Sequence, residues 1–313
     1  MVSRKHLLQK FFDKLYLSIT GFAAFIVLLI VAGIFISLIF ESLPAIGKFG
    51  FFNFISSLEW DPIKEIFGAA TTLYGTLITT AIALLIAVPL SIGIAIFITE
   101  LCPNILKPIF STSIELLAAI PSIIYGMWGL FTLAPIMGNY IEPFLQKIFI
   151  HIPLVGVIFR GTTQGIDILT SGLILSIMIS PFITSIVRDT FELTPKAIKE
   201  SAYGIGATKW EVIKDVIIPY CKLGIYGSII IAMGRALGET MAVAFVLGNK
   251  HQLATSLFDA SATITVTLAN EFTEADSGMY LSSLFYLALI LFIMNFILLA
   301  FAKFFLTGRN RKK

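Results

Sequence analysis

The segment Lys199-Glu-Ser-Ala-Tyr-Gly-Ile-Gly-Ala-Thr-Lys-Trp-Glu-Val-Ile-Lys-Asp-Val-Ile-Ile-Pro219 separates two strongly apolar stretches of this 313-residue chain. A polar loop of this length and patterning, set between hydrophobic spans, implies a local structure of its own. Thr194 followed by Pro195 reads as a helix start, with an N-cap hydroxyl and a ring that fixes φ at the first helical position. Gly204 and Gly206 interrupt that helix. Thr208 with Glu211 three residues on is a capping-box pattern that begins a second helix, and Pro219 is expected to end it before the next span. Two short helices joined at a glycine turn make a compact knob, shaped to sit in a groove of a soluble partner. Trp210 offers an apolar anchor for such a groove.

Outward from this loop the chain is a membrane protein. Hydrophobic residues make up 57% and charged residues 13%, against about 25% charged in a soluble domain. Charge-free runs extend over Leu15–Phe40, Ile66–Thr99, Leu116–Ile141, Ile168–Val187 and Ser277–Ala302, and Leu223–Asn249 is interrupted only by Arg235 and Glu239. Each meets the roughly 20 residues that a membrane-crossing helix requires. The fold class is therefore all-α with six transmembrane helices. The long run Ile66–Thr99 has room for an interfacial helix before its span, or for a kink at Pro89. Pro121 and Pro181 also fall inside spans, where each removes a backbone hydrogen bond and shapes the bundle.

The distribution of basic residues fixes an orientation. Of the 22 Lys and Arg residues, Arg235 lies in a span. With the N-terminus inside, the outer segments hold only Lys48, Lys64, Lys147, Arg160 and Lys250. All the others fall on the cytoplasmic side, including those of the Glu200 loop and of both tails. The net charge of +3 reflects this asymmetry and gives no reason to expect a nucleic-acid partner. The first apolar run is too long for a signal-peptide core and reads as an uncleaved helix. Cys102 and Cys221 fall on the reducing side, so no disulfide is expected. His6, His151 and His251 are scattered, which indicates no protein-bound metal. No phosphate loop is present, so any ATP, with its Mg, is expected on a separate chain and no cofactor on this one.

Inside the sixth run lies Gly234-Arg235-Ala-Leu-Gly238-Glu239-Thr240. Arg235 sits about 18 Å past Leu223 at 1.5 Å per residue, near the middle of a ~30 Å hydrocarbon core. Arg235 and Glu239 are four apart, hence expected on one helical face and able to neutralise each other. The pair could lock this helix to its neighbours. Alternatively, Arg235 faces a solute path and receives an anion as Glu239 lets go. The guanidinium fork suits phosphate or carboxylate oxygens, and ionisable groups inside spans usually mark solute routes. Gly234 and Gly238 would form a smooth strip where a helix or a solute comes close.

Two sets of residues carry a family resemblance. Glu200-Ser201-Ala202, then Gly206, then Val216-Ile217-Ile218-Pro219 resembles the EAA loop of ABC-importer permeases, with Ser201 in place of the first alanine. Gly234 to Val243, together with Glu115-Leu-Leu-Ala-Ala-Ile-Pro-Ser-Ile-Ile-Tyr-Gly-Met-Trp-Gly-Leu130, Leu73-Tyr-Gly-Thr-Leu77 and Ala269-Asn-Glu-Phe272, closely resembles the PstC-type permeases of bacterial phosphate ABC importers. The similarity runs from about residue 20 to residue 306.

The resemblance implies the type I ABC-importer permease fold and a subunit of an ATP-driven phosphate importer in the bacterial cytoplasmic (inner) membrane, with both termini cytoplasmic. It divides the chain into a tail (1–14), a first helix (15–40), an outer loop (41–68), a permease core (69–306) containing a coupling loop (189–222), and a basic tail (307–313). The substrate path would include Gly234, Arg235, Gly238, Glu239 and Thr240. ATPase coupling would fall to Glu200, Ser201, Ala202, Gly206, Trp210 and Pro219. The implied partners are a second permease (PstA-type), an ATPase dimer (PstB-type) carrying ATP and Mg, and an extracytoplasmic phosphate-binding protein (PstS-type). A permease for another oxyanion such as molybdate or sulfate would keep the same fold. An ion-coupled secondary transporter would leave the EAA-like loop unexplained, and an enzyme would leave the absence of a nucleophile–base set unexplained.

Overall fold

The computed structural model describes residues 4–152 and 155–308; residues 1–3, and 309–313 of the basic tail, lie outside them. Among the described residues five helices are long and apolar enough to cross a membrane: Lys10–Phe49, Ala70–Leu101, Ile168–Glu192, Lys209–Leu237 and Gly278–Phe304. A bent pair, Lys107–Ala118 and Ser122–Phe149, makes a sixth span if counted as one.

The first helix covers Arg4–Phe49, longer at both ends than the expected 15–40. It continues past Pro44 because its partner repairs the ladder there. The Ser282 hydroxyl donates to the Glu41 carbonyl (2.7 Å) and accepts from the Ala45 N–H (3.1 Å), standing in for the direct helical bond. The partner is the last helix, Gly278–Gly308, and Phe35 stacks on Phe292 between the two, with 5.3 Å between ring centroids. The outer segment then folds back. The short helix Phe51–Ser56 inserts Phe54 against Tyr286, and Trp60, Phe67 and Tyr280 complete an aromatic core.

Ala70–Leu101 packs most extensively on Ile168–Glu192, because small residues line the seam. Gly172 lies directly against Ile82, where a β-carbon would overlap it. Ser91 donates to the Ser180 carbonyl (3.0 Å), which ties the two helices beside Pro89 and Pro181. The long apolar run contains no interfacial helix: Ile66 forms a bridge with Asp61, and the span starts at Ala70.

Two expectations need correction. The run 116–141 is not a kinked single helix. It breaks at residues 119–121, where the axes of Lys107–Ala118 and Ser122–Phe149 meet at 89°. Pro121 disfavours helical geometry at Ile120 and itself leaves the helical region (ψ 138°), so the helix must restart after it. The helix of the run 223–249 ends early, at Leu237; beyond it come a turn, the short helix Met241–Ala244 and a bridge from Gly248 to Ser261.

Candidate functional site

Arg235 occupies the last turn of Lys209–Leu237, and its guanidinium carbon lies 5.9 Å from the Phe182 ring centroid. Phe182 is about 21 Å below Ile168 at 1.5 Å per residue, midway along that 25-residue helix. Long helical side chains point back toward their own N-terminus, so the charge sits at mid-membrane although its backbone lies higher. Tyr125 is within electrostatic reach of Arg235, and its hydroxyl donates to the Leu117 carbonyl (2.8 Å) across the 119–121 break. Gly126 permits this approach, for its α-carbon faces the Met241 carbonyl at a distance no side chain would allow.

The expected pairing of Arg235 with Glu239 is not what forms. Gly238 ends the helix, so the two side chains never share a face, and no ion pair joins them among the described residues. Glu239 instead accepts from the Ala242 N–H (3.1 Å) and so supports the start of Met241–Ala244, where Thr240 is the N-cap residue. The Glu239 carbonyl accepts from the Thr265 hydroxyl (2.7 Å). The two glycines do not form a shared strip either: Gly234 faces Leu299, whereas a β-carbon at Gly238 would meet only the Gly234 and Arg235 carbonyls of the preceding turn. Arg235 is thus an exposed cation with an aromatic face beneath it, open to an anion.

At the Glu200-loop end the first short helix is Lys196–Gly204, and its cap differs from the expected one. Pro195 takes the N-cap position. Thr194 lies one residue outside, buried, with its hydroxyl 3.2 Å from the Cys221 sulfur, so it is held inward and cannot cap. Gly206 turns the chain at φ +93°, a left-handed geometry that favours glycine. The Thr208–Glu211 capping box forms as expected, with the Thr208 N–H donating to Glu211 (2.7 Å). Pro219 does not end the second helix. A π-helical turn, Val212–Ile217, precedes it and makes room for its ring, and the helix continues unbroken to Leu237. The knob is therefore rigidly continuous with the span that carries Arg235.

The loop surface is apolar where it faces outward. Ile205 is 88% exposed and Trp210 63%, with Leu193, Ile198 and Tyr203 exposed nearby. Glu200 and Ser201 are also exposed, while Ala202 packs inward on the core. Lys199 pairs with Glu100 (2.6 Å) at the end of the second span.

Two polar clusters at the opposite end escaped the sequence reading. Glu271 accepts from Trp60 Nε1 and the Tyr280 hydroxyl (both 2.8 Å) and meets His251 Nε2 at 2.8 Å. Burial by itself would raise its pKa, but the bonds from His251, Tyr280 and Trp60 outweigh that and hold it below the ordinary carboxylate value. Glu142 and Asp167 are both fully buried and share the Thr170 hydroxyl, at 3.5 and 3.4 Å. Asp167 also caps Ile168–Glu192 through the Thr170 N–H (2.8 Å), and burial pushes its carboxyl up. An Asp directly before a helical run was the readable signal for this cap. The long-range partners had no signal.

The chain matches the family of binding-protein-dependent transport system inner membrane components over residues 87–307. It is 53% identical to the phosphate transport system permease protein PstC of Mesorhizobium japonicum, over 94% of this chain and 90% of that one. It is 46% identical to the PstC protein of Haemophilus influenzae, over 99% and 98%. This chain belongs to the PstC family of importer permeases. It is a multi-pass inner-membrane transport subunit and not an enzyme, and hydrolysis of ATP resides on a separate subunit. As a permease of an ABC importer it works with a second permease, an ATPase and a binding protein. The fold agrees: a bacterial ABC transporter that imports the acidic polysaccharide alginate superposes with a TM-score of 0.62 at 16% identity, over 98% of this chain and 99% of that one.

Proposed function

We propose that this chain forms half of the path of an ATP-driven inorganic phosphate importer. A PstA-type permease completes the path, two PstB-type ATPases carrying ATP and Mg bind below, and a PstS-type protein delivers phosphate from above. The carrying observation is near-full-length similarity to phosphate permeases combined with a mid-membrane guanidinium that has no carboxylate partner among the described residues. Phosphate bears one to two negative charges at neutral pH, so bare hydrocarbon is closed to it. Arg235 supplies a compensating charge and a planar donor fork.

Both termini and the Glu200 loop lie on the cytoplasmic side, as the basic residues require. The exposed surface around Ile205 and Trp210 docks on the ATPase, and Glu200 and Gly206 shape that surface. Closure of the ATPase dimer displaces the knob. Because the chain runs on from Lys209 to Leu237 as one helix, the displacement reaches Arg235 directly. The chain converts nucleotide binding into a population shift between outward-open and inward-open states. Glu239 and Thr240 position the Met241–Ala244 turn beside Tyr125.

The test is phosphate uptake into vesicles that hold this chain with its partners and internal ATP, comparing wild type with Arg235→Ala and Glu200→Ala. Loss of ATP-dependent uptake in both assembled variants is expected. Uptake that ignores ATP and follows an imposed ion gradient would refute the assignment.

A further inference from the structure

Arg188 has no part in the site described above, yet it is only 8% exposed and lies close to where Ile168–Glu192 gives way to the coupling loop. Its Nη2 donates to Glu115 Oε1 (3.0 Å) and to Asp189 Oδ1 (2.6 Å), and its Nε donates to the same Asp189 oxygen (2.9 Å). Asp189 is its chain neighbour. Glu115 belongs to Lys107–Ala118, the half-span on the cytoplasmic side of the 89° break.

We propose that Arg188 is a positioning residue whose ion pair with Glu115 straps the coupling loop to the broken helix, so that ATPase-driven movement reaches the anion site by a second route. The route starts at Lys196–Gly204. The Lys199–Glu100 pair (2.6 Å) ties that helix to the end of the second span, and Lys107 donates to the Thr99 carbonyl there (2.7 Å). Arg188 then holds the last turn of Lys107–Ala118 through Glu115. The Leu117 carbonyl accepts from the Tyr125 hydroxyl across the break, and Tyr125 lies beside Arg235.

The break is the reason a strap is needed. A continuous helix would carry displacement along its own axis, whereas two helices meeting at 89° through three non-helical residues transmit little without side-chain ties. The guanidinium fork can hold two carboxylates at once, which a lysine ammonium cannot do in fixed geometry. Nη1 remains buried without a partner among the described residues, so the arrangement is not fully satisfied and is easier to displace than a closed network. A strap that must shift in each cycle suits that condition.

This inference rests on the reading of the loop as the ATPase dock. Its test uses the complete complex in proteoliposomes, with phosphate uptake and ATP hydrolysis measured in the same vesicles. Glu115→Ala leaves Asp189 to neutralise Arg188 and removes a side chain that is 58% exposed, so assembly survives. Hydrolysis should continue while uptake per ATP falls by about five- to tenfold, the lower range of couplings between sites. Arg188→Lys, which keeps the charge beside Asp189 but lacks the fork, should uncouple likewise. An unchanged uptake-to-hydrolysis ratio in either variant, or a parallel loss of both activities with loss of assembly, would overturn the strap. Wild-type vesicles without ATP-dependent uptake would instead overturn the transport reading itself.

Discussion

Replacing Trp210 with alanine tests the proposed docking of the Glu200 loop on the ATPase. An indole buries 150–250 Å² when fully covered, so at 63% exposure about 125 Å² remains for a partner to cover. At about 25 cal/mol per Å² this is worth about 3 kcal/mol. Alanine retains a small part of the contact, which leaves a loss of about 2 kcal/mol, or about 30-fold in affinity. The isolated chain should hardly notice: the Thr208–Glu211 capping box is untouched, and alanine is the better helix former. The assay is titration of the purified ATPase onto the permease pair in nanodiscs, with the melting temperature of the permease as control. An affinity change below about threefold, less than 1 kcal/mol, would refute the anchor reading. A fall in melting temperature would show instead that Trp210 stabilises the knob itself.

Three further outcomes follow from the geometry. Gly75→Ala would drive a β-carbon into the Ala262 carbonyl and the Ser261 hydroxyl, so a loss of about 1–3 kcal/mol or more is expected, whereas Gly204→Ala meets open space and should gain about 0.5–1 kcal/mol; paired thermal melts decide. Glu271 has a folded pKa held below its unfolded value, so its contribution is complete above about pH 4.3 and is lost as pH falls through the folded value; acid melts should therefore be steeper for wild type than for Glu271→Gln, and parallel curves would contradict this. Asp167 is shifted the opposite way, so its burial costs stability increasingly as pH rises above its unfolded value of about 3.9. Asp167→Asn keeps the cap on Thr170 and should raise the melting temperature at about pH 8; a lower one would show that the ionised carboxylate is favourable there.

The sequence by itself determined the all-helical membrane class, the family and the Thr208–Glu211 turn of the polar loop. Apolar runs of sufficient length have no other stable form in a bilayer than helices, and the Thr208–Glu211 box is a local bond between residues three apart. Local chemistry was also enough to place a turn at Gly206, whereas at Pro121 it indicated only a kinked span and the helix in fact breaks. It was not enough at Pro219 and Pro44. A proline interrupts a helix only if nothing repairs the ladder, and the repairs here are a π-helical turn in one case and the Ser282 hydroxyl from the far end of the chain in the other. The Arg235–Glu239 spacing misled for a related reason. A four-residue offset makes neighbours only while the helix lasts, and Gly238 ends it, with the Thr265 hydroxyl fixing Glu239 in the turn beyond. Tertiary structure alone brought Phe182 beneath Arg235, Glu115 to Arg188, and Trp60, His251 and Tyr280 to Glu271. Buried polar groups must find partners wherever the packing of helices places them, and that packing depends on side chains far apart in the chain.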